Sequence, residues 1–223
     1  MPDEAILGTI FDMDGVLCDS EEFICLAARR MFRETYGIDV PPEDFLPFVG
    51  AGENRYIGGP AEKHGLSIDI ETDKARTYQL YLEVIEGVLT PLPGVREFVS
   101  ELRTRGVKCA VATAADHVKM AGNLRQIGLP EDTFDAIVTG SDVERKKPAP
   151  DGFLLAADRL GLPAGRCMVV EDAPNGVRAA IAAGSACLGL TTSFDAATLR
   201  ETGAHWTAPH LGEVPPQVYD RLP

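Results

Sequence analysis

The chain has 223 residues, 45% of them hydrophobic and 25% charged, a make-up that excludes disordered, collagenous and membrane-spanning proteins. The length fits one large domain or one domain carrying an insertion, and leaves little room for two independent enzymes. With 21 Lys and Arg against 34 Asp and Glu, the net charge of -13 repels nucleic acid and anionic membranes, so any anionic substrate must be captured by local groups.

The N-terminus, Met1-Pro2-Asp3-Glu4, is acidic where a signal peptide is basic, and no run of about 18 apolar residues follows anywhere. The expectation is a cytoplasmic protein. A first strand is predicted over 6–12. Next comes a helix over 21–36, with Ile24, Ala27, Ala28, Met31 and Phe32 on one side, then Pro41-Pro42, a glycine-rich loop and further helical segments without a convincing strand. Pro91-Leu92-Pro93-Gly94 reads as a stiff joint. Beyond it, helices and strands alternate: helix from Val95 to a stop at Gly106, strand 107–113, helix 117–126, strand 136–139, helix 151–160, strand 167–171, helix 175–183 and strand 186–190. Such alternation predicts an α/β fold, a Rossmann-like doubly wound parallel sheet of at least five strands with helices on both faces. Residues 1–17 and 92–223 form the expected core, and 18–91 an inserted α-helical cap too long for an ordinary connection, hence a lid. The five cysteines, Cys18, Cys25, Cys109, Cys167 and Cys187, are odd in number and show no C-x-x-C spacing, which predicts reduced, mostly buried thiols.

Asp12 and Asp14 stand two residues apart at the end of the first strand, where an extended backbone would aim both carboxylates into one volume. Alone, Asp-x-Asp-Gly is equally a strand running into a turn. Thr113, Glu171-Asp172 and Lys147-Pro148 follow other strands, and in an open parallel sheet such ends gather around one crevice. Singly, Thr113 reads as a helix cap, Lys147 as a solvated amine and Glu171-Asp172 as charges complementing a helix dipole. Together they fit phosphoryl transfer: a carboxylate nucleophile and a phosphate dianion repel until a cation and an ammonium cancel the charge. Asp12 and Asp172 are hard oxygen ligands for Mg²⁺, Lys147 neutralises the phosphate, Thr113 and nearby N–H groups such as that of Ala114 hold its oxygens, and Asp14 is the acid and base.

Phe11-Asp12-Met13-Asp14-Gly15-Val16-Leu17, Ala112-Thr113-Ala114, Lys147-Pro148 and Glu171-Asp172 resemble, in order and spacing, the four motifs of the haloacid dehalogenase superfamily. The insertion after the first motif resembles the helical C1-type cap of the subgroup with β-phosphoglucomutase and the phosphoglycolate phosphatases. The resemblance implies Asp12 as nucleophile and metal ligand, and Asp14 as acid/base and as a ligand through its backbone oxygen. It further implies Thr113 and Lys147 as phosphate binders, Asp172 as a metal ligand and Glu171 in the metal's outer shell.

Mutases of this subgroup carry a cap histidine a few residues after the first motif, and Ser20-Glu21-Glu22-Phe23-Ile24 has none. The loop Gly50-Ala51-Gly52-Glu53-Asn54-Arg55 corresponds to the cap's specificity loop, with Glu53 about where a mutase is basic. These departures favour a Mg²⁺-dependent phosphatase acting on a small phosphate monoester through an aspartyl-phosphate. A sugar phosphomutase and a non-catalytic phospho-ligand or protein-binding module are the alternatives. Dehalogenation is disfavoured because Asp14 serves phosphoryl leaving groups. From 44 to 59 the sequence is also similar to the dehalogenase-type domain of the plant suppressor-of-quenching protein, which names no substrate.

Among cap and neighbouring residues, Arg55 is the candidate for a second anionic group on the substrate, Asp116 and His117 for the leaving group, and Asn175 for a contact near the metal site. Lys63 and His64 read as a solvated helix end, with the cleft as the alternative. Trp206 and Tyr219 read as packing groups. The expected partner is a small phosphorylated metabolite, with no nucleic acid and no membrane, on a monomer or alternatively a dimer.

Overall fold

The computed structural model describes residues 5–49 and 52–223, so Met1–Glu4 and Gly50-Ala51 of the specificity loop lie outside the described residues. Six parallel strands form one sheet in the order β3-β2-β1-β4-β5-β6. They are β1 Gly8–Phe11, β2 Lys108–Ala112, β3 Ala136–Val138, β4 Cys167–Glu171, β5 Ala186–Leu190 and β6 Trp206–Ala208. The order reverses between β1 and β4, whose register pairs Phe11 with Val170. A crevice opens there beyond the strand ends, because the connections leave β1 and β4 in opposite directions.

Alternation along each strand divides the core. Ile10, Ala110, Val169 and Cys187 pack on one face with Phe153, Ala156, Val177 and Leu199 of the helices α6 (Asp151–Arg159), α7 (Pro174–Ala182) and α8 (Ala196–Thr202). Phe11, Val111, Val170 and Leu188 pack on the other with α4 (Val95–Thr104) and α5 (His117–Gln126), and this cluster continues into the inserted helices. Phe11 is fully buried and meets Phe98 and Phe134 edge-on, with ring centroids at 6.3 and 6.4 Å. Phe11→Ala is therefore expected to lower unfolding free energy by about 3–5 kcal/mol, read as a shifted urea midpoint at unchanged slope.

Between β1 and α4 the described residues contain no strand, and their helical elements are α1 Glu21–Tyr36, two 3-10 turns, α2 Glu53–Lys63 and α3 Ile70–Ile85. On α1, Ile24, Ala27, Ala28, Met31 and Phe32 are buried, as the spacing predicts, and Gly37 ends the helix in the left-handed region at φ 69°. The two chain crossings lie side by side, since Cys18 pairs with Pro91 and the Leu92 N–H donates to the Leu17 carbonyl at 3.0 Å. Polar contacts between the inserted helices and the sheet half include the Tyr81 hydroxyl of α3, which donates to Asn123 of α5, and Lys74 of α3, which pairs with Asp116 at 3.5 Å.

Several predicted boundaries shift. The first strand ends at Phe11, and the chain then turns, with the Met13 carbonyl accepting from the N–H groups of Val16, Leu17 and Cys18. Glu53, Asn54 and Arg55 form the first turn of α2, not a loop, because Gly52 takes φ 87° and starts the helix there. Trp206 belongs to β6, a three-residue edge strand too short to show a period, and α8 and α9 (Pro216–Tyr219) were likewise not predicted. All five thiols are free; Cys25 is half-buried and the other four are buried.

Candidate active site

Asp12 follows β1 and its backbone N–H donates to the Val170 carbonyl of β4 at 3.0 Å, which sets its carboxylate beside the end of the neighbouring strand. There Lys147, from the loop before α6, donates to Asp12 Oδ1 at 2.5 Å and to Glu171 Oε1 at 2.6 Å. Glu171, 1% exposed, is further held by the N–H groups of Asp172 and Ala173, which donate to Oε2 at 3.0 and 3.1 Å. Asp172 accepts from the Ser193 hydroxyl. Oxygens of Asp12, Glu171 and Asp172 all lie within 4.8 Å of one another.

Three carboxylates so close, with one ammonium among them, are short of positive charge. Burial pushes Asp12 up to about 8, opposed by Lys147 and reinforced by Glu171 and Asp172. Burial raises Asp172 to about 7, with Glu171 the next cause. For Lys147 burial works downward, but Asp12 and Glu171 outweigh it and keep the ammonium charged. The close packing also explains two glycines. A Cβ on Gly15, which sits at φ 73°, would stand 2.0 Å from Asp172 Oδ2, and one on Gly176 would stand 1.8 Å from Glu171 Oε1.

Asp14 and Asp12 both line one cavity of about 760 Å³ between the sheet and the inserted helices. Their common aim comes from the turn at Met13 and not from an extended strand. Asp14 accepts from the Ser20 hydroxyl of the chain crossing and, at 2.8 Å, from Lys119 of α5. Thr113 lies just past β2, buried, with Oγ1 accepting from the Ala115 N–H at 3.1 Å, which leaves its own hydroxyl hydrogen for a ligand. Thr113, Ala114, Lys147, Glu171 and Asp172 all border the cavity, so the four sequence motifs converge.

The outlying candidates divide. Glu53 borders the cavity from the start of α2. Arg55 does not: its guanidinium pairs with Glu62 at 2.9 Å and lies over the Phe48 ring at 5.2 Å, and its side chain is 52% exposed. Asp116 is also outside the lining, drawn to Lys74 of α3 at 3.5 Å and to Ser141 at 3.3 Å, and its side chain makes no cap bond to α5. His117 faces Glu131 at 3.1 Å. Lys63 and His64 both clasp the buried Asp44, at 2.5 and 2.7 Å, away from the cleft. Asn175 borders the cavity and accepts from Arg178 at 2.9 Å. Tyr219 packs edge-on against Phe98.

Sequence reasoning missed Lys119, Ser20, Ser193 and Thr192, whose hydroxyl donates to the Gly15 carbonyl at 2.5 Å. A signal existed for two groups of them. Lys119 shares the buried face of α5 with Asn123, a lysine four residues from a core position. Thr192-Ser193 follow the end of β5, the same place in the sheet as the recognised motifs.

The sequence pattern that defines the haloacid dehalogenase-like hydrolases matches residues 7–184. The chain belongs to this family. This haloacid dehalogenase-like hydrolase is 40% identical over 212 residues to the chloroplastic protein Suppressor of quenching 1 of Arabidopsis thaliana, an alignment covering 94% of this chain and 20% of the plant protein. The chain thus spans about a fifth of that relative's length. It is 34% identical over 206 residues to a phosphorylated carbohydrates phosphatase of Thermotoga maritima, covering 87% of this chain and 90% of that one. Among solved structures, CbbY from Rhodobacter sphaeroides in complex with phosphate superimposes at a TM-score of 0.82 with 27% identity, covering 93% of this chain and 96% of that one.

Proposed function

We propose that the chain is a Mg²⁺-dependent phosphatase that hydrolyses a small phosphate monoester through an aspartyl-phosphate, with residues 18–91 acting as a cap over the core formed by 1–17 and 92–223. The observation that carries this reading is the pairing of Asp12 with Lys147 beside Glu171 and Asp172 at the sheet's switch point, under a cavity of small-metabolite size. The donor set suits Mg²⁺, being all carboxylate oxygen. In this reading Asp12 and Asp172 hold the cation, and Glu171, with both oxygens engaged by Lys147 and two N–H groups, is their support. When bound, the cation offsets the negative charge of the phosphate and of the carboxylates around it.

The residues then divide the work. Asp12 attacks phosphorus, forming an acyl phosphate as the bond to the leaving oxygen breaks. Asp14, if protonated, gives that oxygen its proton; as carboxylate it then takes one from the water that attacks the same phosphorus, releasing phosphate and restoring Asp12. Lys147 and the Thr113 hydroxyl hold the phosphoryl oxygens. A mutase is the weaker reading, since the described residues bordering the cavity include no histidine and Ile24 lines it. A purely binding role leaves the nucleophile Asp12 and its ammonium without a task.

Phosphate release from a panel of sugar, glycolyl and nucleotide monoesters, with Mg²⁺ and with chelator, tests the reading. Turnover is expected for some of the esters and to fall at least about 100-fold on chelation. Undiminished turnover in chelator would refute the metal role, and isomerised sugar phosphate in place of free phosphate would make the protein a mutase.

A further inference from the structure

The cavity carries a charge pattern that phosphoryl transfer does not require. Asp12, Thr113, Lys147 and Asp172 gather at the strand ends, and the inserted segment builds the opposing wall. That wall brings Asp19 from the crossing, Glu21 from the start of α1 and Glu53 from the start of α2. Among the described residues that line the cavity, the only cations are Lys147 and Lys119. Lys147 is committed to Asp12 and Glu171. Lys119, 4% exposed, is bonded to Asp14 and surrounded further by Glu21, Tyr81 and Glu53.

At the inserted wall, one ammonium, Lys119, therefore serves Asp14, Glu21 and Glu53, with Asp19 a further carboxylate in the lining. Lys119 is the cation that offsets Glu21 and Glu53, so its charge is already matched by Asp14 and these two carboxylates. The guanidinium closest in sequence, Arg55, is turned out to Glu62. Between the carboxylates the wall is apolar or aromatic, with Ile24, Phe48, Tyr56 and Leu92.

We propose that this side of the cavity selects by charge: it takes phosphate monoesters whose alcohol portion is uncharged and bears hydroxyl groups, and turns away esters with a second phosphate or a carboxylate. The inference rests on the phosphatase reading and names its substrate class. Hydroxyl groups donate to carboxylates and accept from Lys119, while a carbon skeleton lies on the apolar wall. A second anion would lose its water against Glu21 and Glu53 with no free cation to replace it.

The test measures turnover and binding separately for a hexose monophosphate, the matching hexose bisphosphate and phosphoglycolate. In the wild type, kcat/KM for the monophosphate is expected to exceed that for either doubly anionic ester at least about 100-fold. Glu53→Lys is expected to narrow that ratio at least about ten-fold through the KM of the bisphosphate, with Glu53→Gln doing less. Calorimetry on Asp12→Asn with Mg²⁺ reads binding without turnover. If the wild type hydrolyses none of the esters while this variant binds the monophosphate in preference to the bisphosphate, the phosphatase reading falls and the charge selection stands. Equal or better turnover or binding of a doubly anionic ester overturns the charge selection, and binding of none overturns both. The wild-type comparison decides even if Glu53→Lys does not fold.

Discussion

Asp12→Asn is expected to lower phosphate release at least about 10⁴-fold while leaving the fold intact, because the amide keeps the shape and loses the nucleophilic oxygen. The same substitution has a second signature in stability. Burial raises the Asp12 carboxyl from 3.8 to about 8, so the metal-free folded state holds a proton that the unfolded chain has released. Stability contributed through this group therefore falls as pH climbs from about 4 to about 8. Neutral asparagine removes that fall, so Asp12→Asn without divalent cation should unfold at an equal or higher temperature than wild type at pH 8. Adding Mg²⁺ should stabilise the wild type more than the variant, by mass action on the folded state. Turnover within ten-fold of wild type would remove Asp12 from the nucleophile's role, and a lower melting temperature at pH 8 would contradict the crowding of the three carboxylates.

The second large effect belongs to Lys119. Lys119→Met is expected to reduce kcat about 100-fold with a smaller change in KM for the phosphate, since Asp14 loses the bond that fixes its carboxylate against the cavity. It should also cost about 3 kcal/mol of unfolding free energy, because a buried ion pair broken on one side leaves the other charge without compensation. Here Glu21 and Glu53 would share that loss. Steady-state kinetics and urea unfolding on the same preparation separate the two effects. A kcat within three-fold of wild type, beside a full stability loss, would make Lys119 a structural group only.

The two expectations differ in how far the sequence anticipated them. Asp12 was legible only in company: alone, Asp-x-Asp-Gly reads equally as a turn, but three more polar motifs follow three more strands in the required order. Lys147 was legible for the same reason, although its 2.5 Å approach to Asp12 spans 135 positions of chain. Lys119 left only a weak signal, a lysine on the buried face of α5, because its bond to Asp14 depends on the turn of α5 that faces the crossing. Arg55 failed in the opposite direction. A cationic residue near a predicted specificity loop invited an anion, but Gly52 starts α2 early enough to swing the guanidinium onto Glu62.

By itself the sequence determined the alternation that makes a parallel sheet, the helical insertion between its first two strands, and the carboxylates, hydroxyl and ammonium that end the strands. These are local properties: periodicity, glycine stops and the chemistry of single side chains survive without knowledge of neighbours. Only the tertiary structure decided that Ser20 and Lys119 clamp Asp14, that Ser193 supports Asp172, and that Glu21 joins Glu53, the candidate from the specificity loop, in lining the cavity. Those pairings depend on how the inserted helices seat on the sheet, a geometry set by packing between distant segments and carried by no local pattern.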